Sequence, residues 1–252
     1  MNLVIDVGNT LTKAALFKGH ELKALWKGEV LDRDSLLGFI EGHQVGAAII
    51  SSVRQDDKGV DAGYRFLNEM DFTVLKAGLH LEHPLKIRYK TPETLGSDRL
   101  AAALGGYALY PGENVLVINA GTCLTSDFVN SSGEYLGGTI SPGLSMRLRA
   151  LHDYTGKLPV VDAPDLSSPE GNNTNIPMPG QSTHESILSG VTHGMVYEID
   201  GLIESWMQKI RFFNVILSGG DGIFFDKKLK NRIFALDNIV LYGLNVMIQY
   251  NV

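Results

Sequence analysis

A ten-residue segment occurs twice in this chain, and the repeat constrains the fold more than any other feature. Residues 116–125 align with residues 3–12 without a gap, six of the ten positions are identical, and the constant offset of 113 places Asn119 on Asp6. Each copy reads as a short apolar strand, a polar turn and the start of a second strand. Because both copies open a half of similar length, we interpret the chain as two related lobes. A break at 111–114 sets the predicted domains at 1–112 and 113–252.

Hydrophobic spacing predicts the remaining elements. We expect strands at 3–6, 11–17, 21–30, 47–53, 72–75, 126–129, 134–138 and 215–217, and helices at 32–40, 63–70, 98–110, 143–152, 184–210 and 244–250. Asp32 or Asp34 is available to cap the first helix, and Ser97 or Asp98 to cap the third. The Pro- and Asn-rich stretch 158–181 is long for a structureless loop in a compact domain. We therefore interpret it as a lid or a dimer contact.

Composition excludes several classes of function. Hydrophobic residues make up 44% of the 252 and charged residues 20%, which is typical of a globular chain and not of a disordered one. The formal net charge of -6 makes nucleic acid and anionic membranes poor first hypotheses. No apolar run approaches the ~20 residues of a membrane span. A single cysteine, Cys123, excludes an internal disulfide and fits a reducing compartment, so we expect a cytoplasmic protein.

The turn of the first repeat has the composition of a phosphate site. Gly8 lacks a Cβ and allows a phosphate to approach the backbone, and Asp6 can hold Mg²⁺ directly or through water. Thr10, Thr12 and Lys13 offer hydroxyls and a positive charge to phosphate oxygens. The alternative is an ordinary hairpin turn, for which Gly-Asn is a common choice. The presence of two copies favours the phosphate interpretation.

Two other motifs keep both interpretations open on the residues alone. The pair Gly219-Gly220 after an apolar strand suits close approach to a flat ligand such as adenine, and equally suits a strand-to-helix turn. Asp98, in the run 96–99, is either a favourable charge at a helix N-terminus or a general base, with Arg99 binding an anion. The usual P-loop and Rossmann signatures are absent, as are the histidine spacing of zinc hydrolases and the Gly-x-Ser-x-Gly elbow.

Together, the motifs and their order resemble those of type III pantothenate kinases, within the superfamily of acetate and sugar kinases, Hsp70 and actin. The resemblance spans nearly the whole chain and is carried by the runs 6–10, 96–99, 121–122, 137–143, 154–159, 182–183 and 218–220. It implies an α/β fold of two ribonuclease-H-like (actin-like ATPase) lobes, each a mixed five-stranded sheet flanked by helices, with ATP in an interlobe cleft. It also implies a homodimer and ATP-dependent phosphorylation of pantothenate, the first step of coenzyme A synthesis.

The resemblance also assigns roles to individual residues. ATP would be bound by Asp6, Val7, Gly8, Asn9, Thr10, Leu11, Thr12, Lys13 and Thr122, with Asp6 serving Mg²⁺ or another divalent cation. Pantothenate would be bound by Tyr89, Gly96, Ser97, Asp98, Arg99 and Thr183. On this basis Asp98 is expected to be the catalytic proton acceptor, and it can still contribute to the helix terminus.

One position departs from the family pattern. Family members usually carry aspartate where this chain has Asn119, and that carboxylate is associated with a monovalent cation, potassium or ammonium. Because an amide oxygen brings no charge, we expect a weakened or altered potassium dependence. The departure also leaves two alternatives open, which are a nucleotide-binding regulator that has lost catalysis and a kinase of another small alcohol.

Overall fold

The computed structural model describes residues 1–52, 66–164, 171 and 175–252. The start of the helix predicted at 63–70 and much of the predicted loop 158–181 lie outside these residues, although 66–68 are helical. Within the described residues, no helix combines the length and the apolarity needed to cross a membrane.

The first sheet begins with the predicted meander. Strands β1 (Asn2–Val7), β2 (Thr12–Lys18) and β3 (Glu21–Gly28) pair antiparallel in sequence, and β4 (Ala47–Ser52) and β5 (Thr73–Lys76) add parallel to β1, giving the order β3-β2-β1-β4-β5. β4 is buried at five of its six residues and β1 at its three central ones, Leu3–Ile5, as expected for central strands of a covered sheet. The sheet is therefore mixed and five-stranded, as predicted.

The second sheet has six strands, one more than predicted. It comprises β6 (Lys86–Ile87), β7 (Val115–Ala120), β8 (Cys123–Val129), β9 (Glu134–Pro142), β10 (Asn214–Ser218) and β11 (Phe234–Ala235), in the order β11-β10-β7-β8-β9-β6. β6 and β11, each of two residues, were not predicted from the sequence. Such short strands carry no periodicity and exist only through their parallel partners, β9 and β10.

Besides the helical residues 66–68, six helices have their bounds within the described residues. They are α1 (Arg33–Ile40), α2 (Ser97–Leu109), α3 (Leu144–Asp153), α4 (Thr183–Met207), α5 (Gly222–Asp226) and α6 (Ile239–Asn251), with a 3₁₀ turn at Pro92–Thr94. Asp32 caps α1 by accepting the Ser35 amide hydrogen, as predicted. The prediction for α2 was wrong, because its N-cap is Gly96 and neither Ser97 nor Asp98 caps it.

The chain forms two compact units. One consists of Met1–Gly112, Val129–Leu136 and Asn238–Val252, and the other of Glu113–Phe128 and Gly137–Asp237. The segment 129–136 and the C-terminal helix α6 thus belong with the first unit, whereas the sequence analysis assigned both to residues 113–252. For α6 the reason is close helix packing, since a Cβ on Gly243 would lie 1.7 Å from the carbonyl oxygen of Ala101 in α2.

Each unit has its own hydrophobic core. In the first unit, residues of β1, β2 and β4 pack against α1 and Leu67. In the second, residues of β7, β8 and β10 pack against α3, α4 and the Phe224–Phe225 pair of α5. These cores hold the ends of the parallel strand pairs β1–β4 and β7–β10, where the repeated motifs lie.

The repeat extends into these parallel pairs. Asp6 on β1 lies beside Ser51 on β4, and Asn119 on β7 lies beside Ser218 on β10. Each unit therefore places a serine next to the repeated position, on a strand that the sequence repeat itself does not include.

Candidate active site

Asp6 lies between two polar side chains at the end of β1. Lys13 is its antiparallel partner on β2, and Ser51 is its parallel partner on β4. The Ser51 hydroxyl hydrogen-bonds to the Asp6 carboxylate. The other oxygen, Oδ1, is buried and has no hydrogen-bond partner in the described part of the chain. A buried carboxylate oxygen in this state is available to a cation.

The electrostatics of Asp6 reflect a second carboxylate nearby. Burial, followed by the charge of Asp98, raises the pKa of Asp6 from 3.8 to about 6, against the opposing effects of Lys13 and the Ser51 hydrogen bond. Ser51, the parallel partner of Asp6, contacts Ser97, the residue before Asp98, so Asp6 and Asp98 belong to one acidic cluster. We refer to Asp6, Lys13, Ser51 and Asp98 as the acidic cluster.

The turn after Asp6 is tightly closed. The amide of Gly8 donates to the carbonyl of Leu11 at 3.1 Å, and a Cβ at Gly8 would lie 2.9 Å from that same oxygen. Glycine is thus needed for the turn itself, and one of the amides expected to face a phosphate is already engaged within it. Asn9, Thr10 and Leu11 are exposed at the tip of the turn.

Lys13 and Thr12 differ in their surroundings. Lys13 Nζ donates to Oδ1 of Asn238 at 3.1 Å. Asn238 is buried, caps α6 and has left-handed backbone angles, with φ 64° and ψ 32°. Thr12 is buried on β2, and its hydroxyl donates to the carbonyl of Glu29 at 3.3 Å. Asn238 therefore holds the Lys13 ammonium beside Asp6, whereas the Thr12 hydroxyl is hydrogen-bonded to a backbone carbonyl just after β3.

Asp98 occupies the first turn of α2. Its Oδ1 accepts the Arg99 amide hydrogen at 2.8 Å, which satisfies one of the free amides at this helix start. A Cβ on Gly96 would lie 2.5 Å from that oxygen. A side chain larger than that of glycine at position 96 would require the Asp98 carboxylate to shift from this position.

Next to Asp98, the structure brings together the residues predicted to bind pantothenate from the first unit. The Arg99 guanidinium is 5.7 Å from the centroid of the Tyr89 ring, and the Tyr89 and Tyr135 rings are 6.0 Å apart. Arg99 is buried, and Tyr89, Ser97 and Asp98 are half-buried. Ser97 Oγ lies 3.0 Å from Ser51 Oγ, which connects this group to the acidic cluster. Ser51 was not among the predicted site residues.

The remaining predicted residues lie in the second unit. Asn119 is half-buried at the end of β7. Thr122 is exposed, and its carbonyl accepts the amide hydrogen of Gly143 at 3.0 Å. Thr183 is the exposed first residue of α4, whose N-cap, Ser182, accepts the Glu185 amide hydrogen at 3.2 Å.

Gly219, the first residue of the glycine pair in the second unit, is required by the local backbone. Gly219 has φ 98°, and a Cβ there would lie 2.0 Å from the carbonyl oxygen of Ala120. The amide of Asp221 donates to that same carbonyl at 3.0 Å, and burial raises the pKa of the Asp221 carboxyl to about 6. The sequence analysis did not single out Asp221, although its place directly after two glycines at a strand end is a usable signal.

The described residues contain no group of three or more histidine, cysteine, aspartate or glutamate side chains that could hold a metal ion. A single carboxylate such as that of Asp6, together with ligand or water oxygens, is compatible with a divalent cation. This coordination is usual for Mg²⁺ bound with a nucleotide.

Comparison with known proteins identifies the family. The type III pantothenate kinase profile matches residues 2–205. A type III pantothenate kinase of Bacteroides fragilis (strain YCH46) is 43% identical over 251 residues, covering 100% of this chain and 98% of that protein. One from Cytophaga hutchinsonii is 39% identical over 259 residues, covering 100% of both. The chain belongs to the type III pantothenate kinase family.

The solved structures agree with the predicted fold class. The activator of the 2-hydroxyisocaproyl-CoA dehydratase from Clostridium difficile, solved with bound ADPNP, superposes with a TM-score of 0.53 at 14% identity, covering 99% of this chain and 93% of that one. At that identity the likeness concerns the fold alone, and it agrees with the predicted α/β class, with mixed sheets flanked by helices.

Membership of the pantothenate kinase family confirms the predicted activity. It is the ATP-dependent phosphorylation of pantothenate, the first step of coenzyme A biosynthesis, and the family uses a divalent cation. Both curated relatives named above are type III pantothenate kinases, which favours this activity over the two alternatives, a regulator without catalysis and a kinase of another alcohol.

Proposed function

We propose that this chain phosphorylates pantothenate at the acidic cluster, with Asp98 as the proton acceptor and Asp6 as the carboxylate that serves a divalent cation. The observation that carries the proposal is that Ser51, the strand partner of Asp6, contacts Ser97, the residue before Asp98, which brings the two carboxylates together; the charge of Asp98 accordingly raises the pKa of Asp6. A kinase needs one carboxylate for the metal–phosphate group and another for the acceptor hydroxyl. Here the two lie together on elements of one unit.

The proposed reaction is a direct phosphoryl transfer. The primary hydroxyl oxygen of pantothenate forms a bond to the γ-phosphorus of ATP, while the bond from that phosphorus to the β,γ-bridging oxygen breaks. ADP leaves with the electron pair of the broken bond, and the hydroxyl proton passes to the Asp98 carboxylate. The reaction needs no other co-reactant, and its products are phosphopantothenate and ADP.

The residues present fit a divalent cation at Asp6. The buried Oδ1 has no hydrogen-bond partner among the described residues, and oxygen is the ligand that Mg²⁺ prefers. When bound, the cation supplies charge neutralisation for the phosphate oxygens. Lys13, fixed by Asn238, adds a positive charge beside Asp6 and is proposed to contact a phosphate oxygen.

Arg99 and Tyr89 are proposed to hold the acceptor substrate. Pantothenate is a small anion, so its binding needs a local positive charge within a chain of net charge -6. Arg99 supplies this charge at the same helix start as Asp98, and the Tyr89 ring lies beside its guanidinium. Gly96 and Ser97 complete the group that the resemblance assigns to pantothenate.

The remaining ATP and cation assignments are also proposals. The turn Val7–Leu11, which is exposed at residues 9–11, is proposed to contact the phosphates through its backbone, and Thr12 is proposed to contact them from the start of β2. In the second unit, Thr122 is proposed to contact ATP, Thr183 to contact pantothenate, and Asn119 to bind potassium or ammonium only weakly. Mg²⁺ is the proposed divalent cation, and the cytoplasm is the proposed location.

We also propose a homodimer. Several large apolar side chains of the second unit are exposed, and Tyr197 contacts Met178 through a hydroxyl–sulfur contact of 3.4 Å. Ile140 is 61% exposed and precedes Ser141, which hydrogen-bonds to Glu198, the neighbour of Tyr197. Exposed apolar patches of this kind are typical of protein interfaces. Light scattering on the purified chain should give twice the mass of the monomer, and a monomer at all concentrations would contradict the proposal.

The experiment for catalysis measures ADP release with Mg²⁺-ATP and a panel of small alcohols. We expect turnover with pantothenate only, and we expect Asp98→Asn to lower kcat by about 10²- to 10⁴-fold with a smaller change in KM. Asp34→Asn, an exposed carboxylate in α1, is the matched control and should keep wild-type rates. Nucleotide binding without turnover by the wild type would favour a regulator, and an active Asp98→Asn variant would exclude Asp98 as the proton acceptor.

A further inference from the structure

Ser51 connects the two halves of the proposed site. It is 1% exposed near the end of β4, where it pairs in register with Asp6 and hydrogen-bonds to its carboxylate. Its Oγ is also 3.0 Å from Oγ of Ser97, in the first turn of α2. A continuous chain of hydrogen bonds therefore runs from Ser97 through Ser51 to Asp6.

The number of protons available sets the direction of this chain. An ionised carboxylate, the form that serves a cation, only accepts hydrogen bonds, whereas a serine hydroxyl has one proton to donate. Ser51 therefore gives its proton to Asp6, and the contact between the two hydroxyls requires Ser97 to donate to Ser51. The hydroxyl hydrogen of Ser97 is then used in the bond to Ser51, so Ser97 can only accept a hydrogen bond from a ligand.

We propose that Ser51 is a positioning residue that fixes Ser97 as a hydrogen-bond acceptor for pantothenate. The inference rests on the proposed function, because it takes Ser97 as a substrate contact. It specifies which part of the substrate Ser97 meets. An acceptor pairs with a hydroxyl or an amide N–H of pantothenate, and it repels the carboxylate.

The proposed role of Ser51 differs from that of a structural serine, which only hydrogen-bonds to neighbouring groups within a sheet. A structural serine would affect stability and leave the substrate preference unchanged. A second hydroxyl pair of similar geometry, the buried Ser126 with the exposed Thr139 at 2.8 Å in the second unit, provides the comparison. Ser126→Ala removes the same group from the same kind of contact, and no site role is assigned to Ser126.

The test is a double-mutant cycle on turnover of pantothenate at saturating Mg²⁺-ATP. We expect Ser51→Ala and Ser97→Ala each to lower kcat/KM for pantothenate by about 3- to 10-fold, the usual effect of one neutral hydrogen bond. If Ser51 acts through Ser97, the double variant should be within about twofold of Ser97→Ala. Losses that multiply would show independent roles and overturn the proposal, as would a Ser51→Ala variant with an unchanged kcat/KM.

A second measurement does not depend on how well Ser51→Ala folds. Pantothenyl alcohol keeps both hydroxyls and the amide of pantothenate and lacks its carboxylate, so its inhibition constant is compared between the wild type and Ser97→Ala. We expect the variant to weaken binding of the alcohol by the same factor as binding of pantothenate. A factor near one for the alcohol, with a loss for pantothenate, would place Ser97 on the carboxylate and refute the inference.

These outcomes separate the inference from the proposed function. If the wild type and Ser126→Ala turn over pantothenate while the Ser51 and Ser97 losses multiply, the inference fails and the function stands. If the wild type releases no ADP with pantothenate, the proposed function fails and the inference fails with it.

Discussion

Replacing Asp6 by asparagine should abolish activity and yet stabilise the cation-free protein at neutral pH. Burial and the charge of Asp98 raise the pKa of Asp6 from 3.8 to about 6, so the folded state disfavours the ionised form. A group with a raised pKa contributes stability that is present below pH 3.8 and is lost as the pH rises through 6. A shift of about 2 pKa units corresponds to at most about 3 kcal/mol at pH 8, and neutral asparagine avoids this cost.

The assay is urea or thermal unfolding in EDTA at a series of pH values from 5 to 8. The stability of Asp6→Asn relative to wild type should rise with pH, and for a chain of this size each kcal/mol corresponds to about 2–4 °C in Tm. Asp71→Asn, at an exposed position in the same unit, is the control and should follow the wild-type curve. Added Mg²⁺-ATP should stabilise wild type and not Asp6→Asn. Parallel unfolding curves for wild type and Asp6→Asn at every pH would refute the reasoning.

Three further changes test other parts of the site. Gly96→Ala should displace the Asp98 carboxylate, because the added Cβ would lie 2.5 Å from its Oδ1. We expect kcat to fall by about 10²-fold while circular dichroism shows an unchanged fold. A variant with the wild-type rate would contradict the geometry. Asn238→Gly keeps the left-handed backbone and removes the Oδ1 that accepts a hydrogen bond from Lys13, so KM for ATP should rise with little loss of stability. Asn238→Ala should in addition lower the free energy of unfolding in urea by about 1–2 kcal/mol. Equal stabilities of the two variants would argue against backbone strain at this position. Asn119→Asp should increase the stimulation of the rate by potassium, and a strong wild-type requirement left unchanged by the substitution would count against our view of Asn119.

How much the sequence could predict depends on whether an element is specified locally. The repeat and the meander β1–β3 were predictable because apolar strands and glycine turns follow each other within a few residues, and the N-cap Asp32 because capping is a local interaction. The strand β6 was not predictable. Its two residues pair with β9 almost fifty positions later, and they have no alternation of their own.

The candidate site shows the same limit. The sequence correctly predicted that 96–99 would begin a helix, but it favoured Ser97 or Asp98 as the cap, as a local rule would. In the structure, the Ser97 hydroxyl is instead engaged by Ser51, from a strand more than forty residues earlier. Ser51 itself gave only a weak signal, a small polar residue at the end of a buried strand, and its importance arises from the parallel register with Asp6.

The duplicated strand pairs explain why the two copies of the motif need not carry the same charge. In the first unit, Asp6 shares the acidic cluster with Asp98, and Lys13 offsets only part of their charge. In the second unit, Asn119 precedes Ala120, whose carbonyl accepts the amide hydrogen of Asp221, a residue that burial already makes harder to ionise. A second carboxylate at position 119 would add like charge near Asp221 and would need a cation to compensate it. The neutral amide removes this need, so the Asn119→Asp variant should be less stable than wild type without potassium and should recover when potassium is added.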